Sequence, residues 1–169
     1  MQWKIAKKEI IMQKNIPTES DWGIISNDNL DSLAAYRDFQ GKTNDEMQVS
    51  FLNCTIEMAD SLRWMPPIPF RYYMLGFSQF ISEKKFSKID ASDIASSFLR
   101  LVEEKICNQP SVILPIMDIL FPIVEYLADQ QEAYGADPSI YGDFSEKKIL
   151  IEDTWNTLKN KNKNKKRKI

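Results

Sequence analysis

The sequence predicts an all-α fold: a single-domain irregular bundle of about six to seven helices with a Pro-kinked central helix. Three observations carry that expectation. Glycine is scarce, 5 of 169 residues, which argues against a β-rich fold full of tight turns. Apolar residues recur at spacings of three and four along several stretches, the period of helices with one buried face. The most apolar stretch is two tandem seven-residue units, Pro115-Ile116-Met117-Asp118-Ile119-Leu120-Phe121 and Pro122-Ile123-Val124-Glu125-Tyr126-Leu127-Ala128. Other helices are expected to pack around it. Two heptads alone define neither a coiled coil nor a solenoid.

Residues 2–14 read as an amphipathic helix with Trp3, Ile10 and Met12 among its apolar positions, or as a short strand. Pro17 ends that element. Residues 18–28 read as a polar turn around Trp22-Gly23. Asp28 or Asn29 caps the next helix, on which Leu30, Leu33, Ala34 and Phe39 share a face. Gly41 closes it at the position after the C-cap. Thr43-Asn44-Asp45-Glu46 fits a capping box, in which hydroxyl and carboxylate each satisfy a free backbone N–H. A long helix over 44–64 follows, with Met47, Phe51, Cys54, Met58, Leu62 and Met65 as one buried stripe.

Pro66, Pro67 and Pro69 break the chain and lead into a helix over 70–81. Its aromatics are Phe70, Tyr72, Tyr73, Phe77 and Phe80, and Gly76 permits close approach of a neighbour. With Trp64, this group offers stacking surface for bases, but its helical spacing favours core. Asp90 is the expected N-cap of the next helix, with Asp93 in its first turn and Ile94, Ala95, Phe98, Leu101, Val102 and Ile106 on one face.

The proline helix is expected to run to about Tyr134 and end at Gly135. Each proline removes a backbone hydrogen bond. Either the helix kinks at both, or one proline opens a new helix at its first position. A break near Pro115, with a second start or kink near Pro122, is the favoured form. Residues 110–128 are long enough to span a membrane, but Asp118, Glu125 and three prolines favour a buried core helix. Residues 136–144 read as a loop. Ser145 then caps a last helix with Ile151, Trp155 and Leu158 facing inward. Residues 1–158 are the expected helical globular domain and 159–169 a disordered basic tail.

Charge is unevenly distributed. The formal net charge is −2, yet residues 159–168 hold seven of the 22 Lys+Arg and no acid. Residues 17–60 carry nine acids against Arg37 and Lys42, and residues 118–153 nine acids against Lys147 and Lys148. The chain is therefore an acidic globule with a basic end.

Several chemistries are excluded. The chain has no histidine, which removes Ser-His-Asp and Cys-His catalysis and most transition-metal sites. Cys54 and Cys107 lie on separate predicted helices and read as small buried hydrophobes. No GxGxxG or GxxxxGK[ST] phosphate loop occurs. Asp118 and Glu125 are seven apart, hence on about the same helix face roughly 10 Å apart. They would serve as an acid/base or metal pair only with further ligands. The favoured reading is that each acid lies at the polar edge of the helix or pairs with an arginine such as Arg71 or Arg100. No enzyme activity, cofactor or metal is expected.

What remains is the acidic, tyrosine-bearing turn. Asp129, Glu132, Tyr134, Asp137, Tyr141 and Asp143 combine aromatic contact area with steering carboxylates, an arrangement suited to a basic protein partner. In overall character (small, single-domain, acidic, without catalytic residues) the chain resembles bacterial toxin-neutralising immunity proteins. No motif carries that resemblance, so no family residues transfer. It implies a cytoplasmic protein that occludes a basic toxin domain, for example a nuclease whose positive surface grips phosphates. No secretory signal is read at the start, and no membrane partner is expected. The alternative is a nucleic-acid-associated or regulatory helical protein, with nucleic acid bound through the basic tail.

Overall fold

The helices are nucleated by local signals and held by one aromatic core. A computed structural model describes residues 15–26, 28–83 and 86–166; the element expected over 2–14 lies outside them. In chain order the helices are α1 (Glu19–Trp22), α2 (Leu30–Phe39), α3 (Asn44–Asn53), α4 (Thr55–Arg63), α5 (Pro67–Glu83), α6 (Ala91–Asn108), α7 (Pro110–Ile113), α8 (Met117–Asp129), α9 (Pro138–Tyr141) and α10 (Phe144–Lys166). A 3-10 turn, Leu114–Ile116, joins α7 to α8. Seven of these helices have nine residues or more, and no strand occurs among the described residues. The fold is an all-α single-domain bundle.

Capping explains several boundaries. The Asn29 side chain accepts the Ser32 N–H at 3.1 Å and opens α2. Gly41 takes φ 76° just past its end, a conformation that favours glycine. The Thr43–Glu46 capping box forms as expected: Glu46 N–H donates to the Thr43 hydroxyl at 3.1 Å, and Thr43 N–H to the Glu46 carboxylate at 2.7 Å.

The single helix expected over 44–64 is two helices. Cys54 leaves helical geometry at φ −142°, ψ 50°. The Thr55 hydroxyl donates to the Phe51 carbonyl, the acceptor that Thr55 N–H would use in a continuous helix. Side-chain competition of this kind is why threonine disfavours helix interiors. The break rotates Cys54 out of the stripe. Met47, Phe51, Met58, Leu62 and Met65 are buried, whereas both cysteines are exposed and free. On α2 the inward face is Ala35 and Phe39, while Leu30 is 71% exposed.

α5 lies at the centre with α6 and α8. It touches α1, α3, α4, α6, α7 and α8. Tyr73 stacks edge-on against Phe39 at 4.9 Å and Phe77 against Phe51 at 5.0 Å. The Tyr73 hydroxyl donates to Phe39 O at 2.6 Å or Lys42 O at 2.9 Å, fixing the end of α2 onto α5. At Gly76, a Cβ would stand 2.2 Å from Asn44 Oδ1, so α3 can approach α5 only because glycine is there. Trp22, expected in an open turn, is buried at the end of α1 against Tyr36 and Tyr73.

The two prolines behave differently. The break falls at Pro115, inside the 3-10 turn, and Pro122 sits within α8. Ser111 is four residues before Pro115, so its carbonyl loses its helical donor. Arg71 Nη2 donates to Ser111 O at 3.3 Å, and Nε to Val112 O at 2.9 Å. Arg71 thus serves the proline break and not Asp118 or Glu125. Residues Pro110–Asp129 are long and apolar enough to cross a membrane by length and composition, and 56% of that window is buried within the bundle.

The last correction concerns the basic run. α10 continues through Lys159 to Lys166, so the stretch expected as a disordered tail is helical that far. Lysines near a helix C-terminus complement its dipole. Ile151 and Trp155 anchor the helix in the core.

Candidate functional site

The acidic turn links the end of α8 to the start of α10. Its organiser is Gln131. Gln131 Nε2 donates to Ala136 O at 3.0 Å and Gly142 O at 2.8 Å, and its Oε1 accepts the Phe144 N–H at 2.9 Å. One amide side chain therefore closes the turn on both strands of its loop. A glutamine between two acidic stretches gives no signal of this in sequence.

The six residues expected to meet a partner lie together in this turn, in unequal circumstances. Asp137 caps α9, accepting Ser139 N–H at 2.8 Å and its hydroxyl at 2.7 Å. Those Ser139 bonds hold its carboxyl below the usual carboxylate range. Asp143 accepts Ser145 N–H at 2.7 Å and Glu146 N–H at 3.3 Å. It, and not Ser145, is the cap of α10. Asp129 stands 3.6 Å from Lys148 and remains 68% exposed. Glu132 is exposed.

Both tyrosines point inward. Tyr134 is 8% exposed and rests against Phe86 and Tyr126. Burial first, and the neighbouring Tyr126 second, push its phenol well above the ordinary range. The Tyr141 hydroxyl is 2.9 Å from Asp93 Oδ1, to which it donates, and 3.2 Å from Ser92 Oγ. Tyr141 therefore ties the turn to the first turn of α6. Tyr134 is buried and Tyr141 half-buried. The exposed apolar residue of the turn is Ile140, at 73%.

The turn nevertheless carries an open cleft of about 520 Å³. Gln131, Glu132, Gly135, Ala136, Asp137 and Pro138 line it. Two of the expected residues, Glu132 and Asp137, thus border a concave surface with no basic residue in its lining.

The other candidate acids stand apart. Asp118 pairs with Lys159 at 3.1 Å, and Lys159 Nζ lies 3.4 Å above the Trp155 ring. Asp118 is 74% exposed, and Glu125 is exposed as well. Among the described residues no three His, Cys, Asp or Glu side chains gather as metal ligands. Lys105 is buried, with Nζ donating to Arg63 O and to Gln109 Oε1, both at 2.6 Å. Burial lowers its pKa, partly offset by Glu104. Its place against the last carbonyls of α4 makes it a structural cation.

Comparison with protein families, with curated proteins and with solved structures found no match.

Proposed function

We propose that this protein is an acidic helical binding protein that neutralises a basic protein partner, in the manner of an immunity protein blocking a nuclease toxin. The observation that carries this reading is the cleft at the acidic turn, bordered by Glu132 and Asp137, in a turn that also exposes Ile140. Asp137, held in position by its Ser139 hydrogen bonds, and exposed Glu132 steer a cationic surface toward an apolar contact. The absence of histidine from the whole chain leaves binding as the activity this surface serves best.

The test uses the full-length chain, immobilised and exposed to lysate of its own host at low and high salt. The reading predicts a basic partner that is released as salt rises, and a nuclease activity in that fraction that falls when pure protein is added back. Recovery of only acidic or neutral proteins, or retention indifferent to salt, counts against it.

One observation favours a second reading. The basic run continues α10 as a helix to Lys166, and a lysine-rich sequence suits contact with nucleic-acid phosphates. That reading predicts steeply salt-dependent binding of DNA or RNA, lost when residues 160–169 are removed.

A further inference from the structure

A second concave surface lies where the α3–α4 break faces the start of α6. Its volume is about 260 Å³, below the ~300–1,000 Å³ typical of small-molecule sites. That size suits side chains of another protein. Leu52, Ile56 and Ile94 supply its apolar lining, and Glu57, Asp90 and Asp93 its charge. No lysine or arginine lines it. Leu52 is 44% exposed and Ile56 52% exposed, and nearby Ile89 is 87% exposed. Apolar side chains left this open beside carboxylates mark an interaction surface more specifically than acid density does.

The geometry points to this groove as the seat for a basic, amphipathic segment of a protein partner. Apolar side chains of that segment lie against Leu52 and Ile56. Its lysine or arginine stems run along the same apolar wall while their charged heads reach Glu57, Asp90 and Asp93. Two of these carboxylates are held in place. Asp93 accepts from Tyr141 at 2.9 Å, and Asp90 from the Ser87 hydroxyl at 2.6 Å. Charge complementarity selects the occupant, since the lining holds three carboxylates and no lysine or arginine. Tyr141 belongs to the acidic turn, so one hydrogen bond links that turn to Asp93 in the groove. This inference rests on the basic-partner reading and names a different place of contact.

Cys54 lines the groove and is exposed; Cys107, at the far end of α6, is exposed too and serves as an internal control. Partial desolvation, and then the hydrogen bond and charge of Glu57, raise the Cys54 thiol pKa, so rates are compared with and without ligand on the same chain. The probe is a short helical Lys/Leu peptide with one apolar face, beside a Lys/Ser peptide of equal charge. The Lys/Leu peptide is expected to slow maleimide labelling of Cys54 about tenfold relative to Cys107. The Lys/Ser peptide is expected to protect weakly, and Ile56→Ser or Asp90→Asn to remove the protection. Binding by titration that leaves Cys54 unprotected, or is lost in Glu132→Gln alone, overturns the groove and leaves the basic-partner reading standing. Protection that survives both groove variants also overturns it. Failure of both peptides to bind at low salt overturns the two together.

Discussion

The acidic turn after α8 and the groove at the α3–α4 break are both rich in carboxylates, and they use them differently. In the turn, Asp137 and Asp143 are spent on the N-termini of α9 and α10, and Asp129 lies against Lys148. Its tyrosines are drawn inward. In the groove, the carboxylates stand beside Leu52 and Ile56, which remain half open to solvent. Acid density in a sequence therefore does not separate helix caps from contact surface. Which acids stand beside exposed apolar side chains, Ile140 in the turn and Leu52 and Ile56 in the groove, depends on packing.

This contrast breaks if the turn proves tolerant or the groove proves structural. The largest effect is expected at alkaline pH. Burial raises the phenols of Tyr73 and Tyr134 above their ordinary value of 10.0. Their folded pKa values exceed the unfolded ones, so the stability they contribute is fully present below pH 10 and is lost as pH rises through the folded values. Thermal unfolding should show a steep loss above pH 10, made shallower by Tyr134→Phe. A flat profile would mean that the phenols are accessible.

Next in size is Gln131→Ala, which removes three hydrogen bonds at about 1 kcal/mol each, for roughly 2–3 kcal/mol in chemical denaturation. A cost below about 0.5 kcal/mol would remove Gln131 as organiser of the turn. Asp143→Ala should cost about 1 kcal/mol as a lost helix cap, while Ser145→Ala should cost less. Smallest are Ile56→Ser in the groove and Glu132→Gln in the turn, each within about 0.5 kcal/mol of the parent. An Ile56→Ser cost of several kcal/mol would mean that Ile56 is packed, and the contrast would fail there.

Much of the fold was legible because its signals are local. The Thr43–Glu46 capping box, Gly41 past the end of α2 and the apolar face of α6 each depend on neighbours within a turn or two. The helix break at Cys54 leaves no mark in the sequence pattern, because periodicity cannot register a threonine hydroxyl taking the Phe51 carbonyl. Trp22 reads as a turn residue and is core, because its burial comes from α2 and α5. The basic run reads as disordered because it lacks an apolar face, yet it extends a helix anchored upstream at Trp155.

The site was less legible for a related reason. Asp129 through Asp143 form an obvious cluster in sequence, but their roles as caps and pairs appear only once α9 and α10 are placed. The groove joins residues 52–57 to residues 90–94 through tertiary packing, and no sequence window contains both. Arg71 illustrates the same limit. Opposite charge pointed to Asp118 or Glu125, and the carbonyls left near Pro115 by its missing donor claimed it instead.

The most direct measurement of the central claim is the affinity of full-length protein and of a chain lacking residues 160–169 for the basic partner and for duplex DNA, at matched salt. The deletion removes six Lys+Arg and no acid, taking the formal net charge from −2 to −8. Basic-partner binding predicts equal or tighter affinity for the partner after deletion. Loss of partner binding on deletion, together with DNA binding by the intact chain that the deletion abolishes, would contradict it and assign the function to the basic end.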